Sequence, residues 1–147
     1  MDTILENIVI KEGSFNFRFL NLPENISRKG IISFRKDGFQ YYYKKKRRVG
    51  FLDKKFAFLR LLEKGEVNLY EYITKEINST STGTSDVIHY YIERNNEMHL
   101  VLSSRFYQII LRVLPDNKER IKKIKKREYN YFDIKEVIEE FNDLQKN

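Results

Sequence analysis

Asp37-Gly38 stands between two runs rich in β-branched and aromatic residues, Ile31-Ile32-Ser33-Phe34 before it and Phe39-Gln40-Tyr41-Tyr42-Tyr43 after it. A two-residue hairpin turn of type I′ needs positive φ at both central positions, which Asp tolerates and Gly adopts freely. The dipeptide therefore predicts an antiparallel hairpin. With that turn Lys36 faces Phe39, Phe34 faces Tyr41 and Ile32 faces Tyr43. Cross-strand partners share a face of the sheet. Tyr41 and Tyr43 are expected with Phe34 and Ile32 on a core face, and Tyr42 on the opposite face beside Ser33. A slip of one residue would reverse every one of these assignments, so the turn constrains the sheet strongly.

Further β-type runs surround it. Ile8-Val9-Ile10 and Phe15-Asn16-Phe17-Arg18-Phe19 flank Glu12-Gly13, and Leu22-Pro23-Glu24-Asn25 breaks the second. After the hairpin, VGFLDKKFAFLRLL and EVNLYEYI read as strands, with Glu63-Lys64-Gly65-Glu66 turning between Phe56–Leu62 and Val67–Ile73. Residues 78–86, NSTSTGTSD, are small and polar and read as a mobile surface loop. VIHYYIERNNEMHLVL is a second hairpin about Asn95-Asn96, residues that tolerate left-handed turn positions.

The period then changes. Phe106, Ile109, Ile110 and Val113 fall at i, i+3, i+4 and i+7, one face of a helix that Pro115 ends. Asp116 with Glu119 resembles a capping box and opens a short basic helix anchored by Ile121 and Ile124. Asp133 with Glu136 repeats the device before a stripe of Ile134, Val137, Ile138, Phe141 and Leu144. The reading is α+β: a meandering antiparallel sheet followed by about three C-terminal helices, forming one domain over residues 1–147 (1–102 β-rich, 103–147 helical).

The chemistry this sequence lacks narrows its function. It has no cysteine, hence no disulfide, thiolate nucleophile or Cys-bound zinc. No H-E-x-x-H, G-x-S-x-G, G-x-x-x-x-G-K-[ST] or G-x-G-x-x-G pattern occurs, and the glycines are isolated. In the Asn95-Asn96 register Ile92 faces His99 and His89 faces Leu102, so the two histidines lie on opposite faces and cannot share a metal ion. No cofactor or metal is expected, and no enzymatic activity, although distant carboxylates could in principle form a glycosidase-type dyad. Glu139-Glu140 reads as a solvated helix surface.

The net charge of +7 is unevenly placed: residues 31–60 hold ten cations against two anions, whereas residues 61–100 hold three against seven. Lys44-Lys45-Lys46-Arg47-Arg48 follows directly on Tyr41-Tyr42-Tyr43. Two readings compete. The run can form a phosphate-binding stripe with Tyr42 available for stacking, a polyanion site of Tyr42, Lys44, Lys45, Lys46, Arg47 and Arg48. It can equally be the solvated end or edge of a strand, where lysine blocks association of sheet edges. The second reading is favoured, because no recognisable nucleic-acid-binding motif surrounds the run. The N-terminus, MDTILENIVIKEG, has no basic head followed by an apolar stretch, which fits a cytoplasmic protein or one whose signal was removed. No apolar run approaches the ~20 residues of a spanning helix.

Phe58, Leu61, Leu62, Gly65, Leu69 and Tyr70 in one hairpin, a charged hairpin after it, and Ile124, Tyr129, Phe141 and Asn142 near the close resemble a family of uncharacterised envelope proteins of Gram-negative, Bacteroidetes-type bacteria. The resemblance covers roughly residues 54–142 and lies in packing motifs. It implies a periplasmic or envelope location and a non-enzymatic binding module whose partner is a protein or an acidic surface, and it transfers no functional residue. The alternative is a small basic nucleic-acid-binding protein using Lys44 to Arg48.

Overall fold

A computed structural model describes residues 5–10, 31–77, 83–114 and 118–146. Seven antiparallel strands follow in chain order across one sheet: β1 (Leu5–Ile10), β2 (Ile31–Lys36), β3 (Phe39–Lys45), β4 (Phe56–Glu63), β5 (Asn68–Ile77), β6 (Thr84–Arg94) and β7 (Glu97–Val101). Three helices follow, α1 (Phe106–Val113), α2 (Lys118–Lys125) and α3 (Ile134–Gln145), with single 3₁₀ turns before α1 and α3. The architecture is α+β, as expected.

Both hairpins keep the expected register. Asp37 (φ 51°) and Gly38 (φ 80°) form the first turn, and Phe34 pairs with Tyr41 and Lys36 with Phe39. Asn95 and Asn96 are left-handed at φ 52° and 62°, with Glu93 opposite Met98 and Ile92 opposite His99. The run Phe15–Phe19, the break at Leu22-Pro23, Pro115 and Asp116 lie outside the described residues. So do residues 78–82, while Thr84 to Asp86, expected as loop, belong to β6.

Both faces of the sheet are covered, which the alternation alone did not foretell. On one face Leu69, Ile92 and Val101 pack beneath the helices against Phe106, Ile110, Ile124, Ile138 and Phe141. On the other, Leu59, Tyr70, Tyr91 and Leu100 form a second cluster, with Tyr42, Leu61, Tyr72 and Met98 against it. Tyr42 therefore has an interior of its own. Tyr41 stacks on Phe34 with centroids 4.8 Å apart, and Tyr43 leans on Phe58 at 5.1 Å, as expected for the opposite face.

Three local expectations are corrected. VGFLDKK is not strand: the chain from 46 to 55 is a loop between β3 and β4. The cap before α3 sits one turn earlier than Asp133-Glu136. The Phe132 N–H donates to Asn130 Oδ1, and the Asn130 N–H donates to Asp133 Oδ2, both at 2.8 Å. The α3 stripe ends differently too, because Leu144 is half exposed and Asn142 is buried in its place against Gly65 and Val67. Gly65 and Asn142, two residues that carried the resemblance, thus touch each other.

Candidate functional site

The basic run does not form one surface. It straddles the end of β3, an interior strand between β2 and β4, so it does not guard a sheet edge. Lys44, still in the strand, reaches across the sheet to Glu93 at 3.0 Å. Burial alone would raise the Glu93 carboxyl, but hydrogen bonds from Asn68, Lys44 and Tyr70 outweigh it and hold the group below its ordinary range. Lys45, Arg47 and Arg48 are exposed. Lys46 is the exception: its side chain is completely buried. It leaves the proposed stripe, since an ammonium inside the protein cannot meet a phosphate in solvent. Tyr42, the expected stacking platform, lies edge-on to Tyr70 with centroids 6.4 Å apart and is only partly open.

What holds Lys46 is Asp53, the sole acidic residue between Gly38 and Glu63. Lys46 Nζ also donates to the Lys54 carbonyl at 2.8 Å and lies 4.2 Å from the centroid of the Tyr72 ring. Asp53 Oδ2 accepts in addition from the Val49 N–H at 2.8 Å, and Oδ1 accepts from the Tyr72 hydroxyl at 2.9 Å. Burial would raise the Asp53 carboxyl; the hydrogen bonds from Lys46, Val49 and Tyr72 overcome that and bring it down to about 2. Burial and the adjoining Asp53 carboxylate push Tyr72 up to about 12. The Tyr91 hydroxyl donates to the Arg47 carbonyl at 2.6 Å, and the Lys46 N–H donates to the Lys55 carbonyl at 2.8 Å. A ten-residue loop is thus tied to the sheet at both ends and in its middle. A buried ion pair contributes little net stability even when well hydrogen-bonded, but losing one partner strands the other. Such a latch specifies a geometry.

The geometry it specifies leaves Phe51 and Leu52 each 93% exposed at the loop tip. The tip is itself a turn, the Asp53 N–H donating to the Gly50 carbonyl at 3.3 Å. Beside it, Val49 to Lys54 overhang Tyr72 to Glu76 and His89, enclosing an open cavity of about 550 Å³. Burial pushes His89 down, and its Nε2 is 2.8 Å from Thr74 Oγ1. Elsewhere, Arg47, Arg105 and Arg112 line a second cavity of about 210 Å³ with His99, Gln108 and Met98, and among the described residues no carboxylate belongs to its lining. His89 pairs with Tyr72, whereas His99 pairs with Ile92, positions that fall on opposite faces as the register required. Among the described residues no group of acidic, histidine or cysteine side chains is arranged to hold a metal ion, and no helix is long and apolar enough to cross a membrane.

Phe51 and Leu52 read as part of a strand in VGFLDKKFAFLRLL, which hides the tip in the sequence. A lone aspartate downstream of five cations, separated from them by a Gly-containing stretch, was the signal available. Glu139 and Glu140 also have more than solvent around them. Glu139 and Glu63 share Lys135, and Glu140 accepts from the Tyr129 hydroxyl at 2.8 Å. No protein-family model, no curated protein and no solved structure matches the chain.

Proposed function

We propose that this chain is a non-enzymatic, surface- or envelope-associated binding module that meets its partner through the loop between β3 and β4. One observation carries the reading: a loop fixed by the buried Lys46–Asp53 pair holds two large apolar side chains almost wholly in water. Scattered exposed apolar residues are ordinary on a protein surface. Two adjacent ones, on a loop with this many internal ties, are supported as a contact element rather than a packing accident. Asp53 and Tyr72, two of the groups with displaced pKa values, are occupied in holding the loop, which argues against assigning those two proton-transfer chemistry.

The alternative, a small nucleic-acid-binding protein using Lys44 to Arg48, draws support from the exposure of Lys45, Arg47 and Arg48. It is weakened by the burial of Lys46 and the pairing of Lys44 with Glu93, which interrupt the stripe.

Site-specific photo-crosslinking in cells tests the main reading. A photoreactive side chain at position 51 is expected to capture a partner, while the same group at Phe132, itself 81% exposed, is expected to capture none. Equal capture at both positions, or none at 51, would remove the loop as the contact surface.

A further inference from the structure

We infer that the partner of this loop is an anionic lipid surface, into which Phe51 and Leu52 insert while the surrounding cations engage headgroup phosphates. The inference rests on the binding reading above and names the chemistry of its partner. Three observations bear on it, each independent of the others.

The first is the shape of the tip. Phe51 and Leu52 are adjacent and both 93% exposed, and the cavity they help to line over Tyr72 to Glu76 is wide open rather than a closed socket. An apolar pair held this far into water suits a fluid apolar phase, which needs no complementary shape. The backbone at the point is already satisfied in part by the Asp53-to-Gly50 turn bond, so entering a water-poor layer strands fewer polar groups.

The second is charge. Lys45, Arg47, Arg48 and Lys55 are exposed along the loop and at its base, and the one anion of the loop, Asp53, is turned inward onto Lys46. The latch thus turns the loop's own carboxylate away from the contact surface, leaving Glu76 across the cavity as an acidic group that the cations must outweigh. Clustered lysine and arginine beside an apolar anchor form the paired signal that peripheral attachment requires, since either alone binds weakly.

The third is the cavity lined by Arg47, Arg105, Arg112 and Gln108, with no carboxylate among the described residues of its lining. Guanidinium groups from the loop after β3 and from the α1 region line it together, and their forked donors match phosphate oxygens, although Arg112 also reaches His99. A nucleic-acid backbone offers phosphates as well, but it gives Leu52 nothing to contact. The apolar pair decides between the two.

The absence of tryptophan from the whole chain makes the test direct. Phe51→Trp introduces a single reporter whose emission moves to shorter wavelength on entering a bilayer. With phosphatidylcholine vesicles containing phosphatidylserine, a blue shift and co-sedimentation are expected. Pure phosphatidylcholine vesicles are expected to give at least about tenfold weaker binding, given the several cations involved. Phe51→Asp with Leu52→Asp should lower partition to the anionic vesicles about 100-fold, and Arg47→Gln with Arg48→Gln about tenfold or more, with unchanged circular dichroism in each case. Free inorganic phosphate at millimolar levels should not release the protein; release would assign the arginine cavity to a soluble anion and overturn the lipid assignment. Co-sedimentation without a blue shift would mean adsorption by charge alone and would defeat insertion. Binding of random-sequence DNA that is insensitive to the aspartate variant, with no vesicle binding, would replace the lipid by a nucleic acid. If crosslinking at position 51 succeeds and every vesicle test fails, the lipid is wrong and the binding loop stands; if crosslinking also fails, both fall.

Discussion

The Asn142 side chain bonds both polar groups of one backbone residue: its Oδ1 accepts from the Val67 N–H at 3.0 Å, and its Nδ2 donates to the Val67 carbonyl at 2.8 Å. Val67 lies in the turn before β5, completely buried, where its backbone has left the β4–β5 ladder. The amide of α3 supplies what a neighbouring strand would have given. It fits because Gly65 has no side chain; a Cβ there would collide with the Asn142 carboxamide.

Asn142→Ala leaves a buried N–H and a buried carbonyl unpaired and should cost about 2–4 kcal/mol, read from the urea midpoint. Gly65→Ala should also destabilise, by forcing the same amide aside. Combined, the two should cost clearly less than their sum, because the methyl then enters space the asparagine has vacated. Strict additivity would show that the two residues do not act on each other.

A second double-mutant cycle addresses the loop. Lys46→Met and Asp53→Asn each abandon a buried partner and should each cost about 3–5 kcal/mol, whereas the double variant should cost markedly less than the sum. The measurement is chemical denaturation with circular dichroism. Costs near zero for both single variants would mean that the pair does not hold the loop.

Acid should expose the same latch. The folded Asp53 carboxyl at about 2 lies below its ordinary 3.8. The unfolded chain therefore takes up the proton first as pH falls. The contribution of Asp53 is complete above about pH 4 and is lost as pH drops towards about 2, a change of about 1–3 kcal/mol. Unfolding midpoints recorded between those limits should fall steeply for the native chain and less steeply for Asp53→Asn. Parallel slopes would contradict the hydrogen bonds assigned to this carboxylate.

The tip itself should be silent in folding. Phe51→Ser and Leu52→Ser remove side chains already in water and should move stability by no more than about 0.5 kcal/mol. Leu59→Ala, fully buried in the second cluster, should cost about 2–5 kcal/mol. A large loss of stability at position 51 or 52 would show that the tip packs against something.

Much of the scaffold could be read from local chemistry. Asp37-Gly38 and Asn95-Asn96 placed two registers correctly because a left-handed turn position admits few residue types, and period-2 alternation then distributes the side chains. Phe106, Ile109, Ile110 and Val113 form the buried face of α1 for a similar reason, their spacing matching the helical period. What escaped was decided by distant partners. The interior around Tyr42 exists because Tyr70, Tyr91 and Leu100 arrive from three other strands. Asn142 is buried through a contact with Val67, 75 residues away. Lys46 is buried where Lys45, Arg47 and Arg48 are exposed because it meets Asp53 after the chain doubles back, and alternation carries no information about a reversal of that kind.

The ties at Lys46, Val49, Asp53 and Tyr72 bear on how the protein can change as well as on how it is built. They fix both ends of the loop while leaving the residues between them out of the interior. Selection, or a protein engineer, can therefore rewrite the few positions at the apex without first passing through a misfolded intermediate. The same frame can present a different recognition triplet to a different target, much as an interchangeable bit is seated in a fixed chuck.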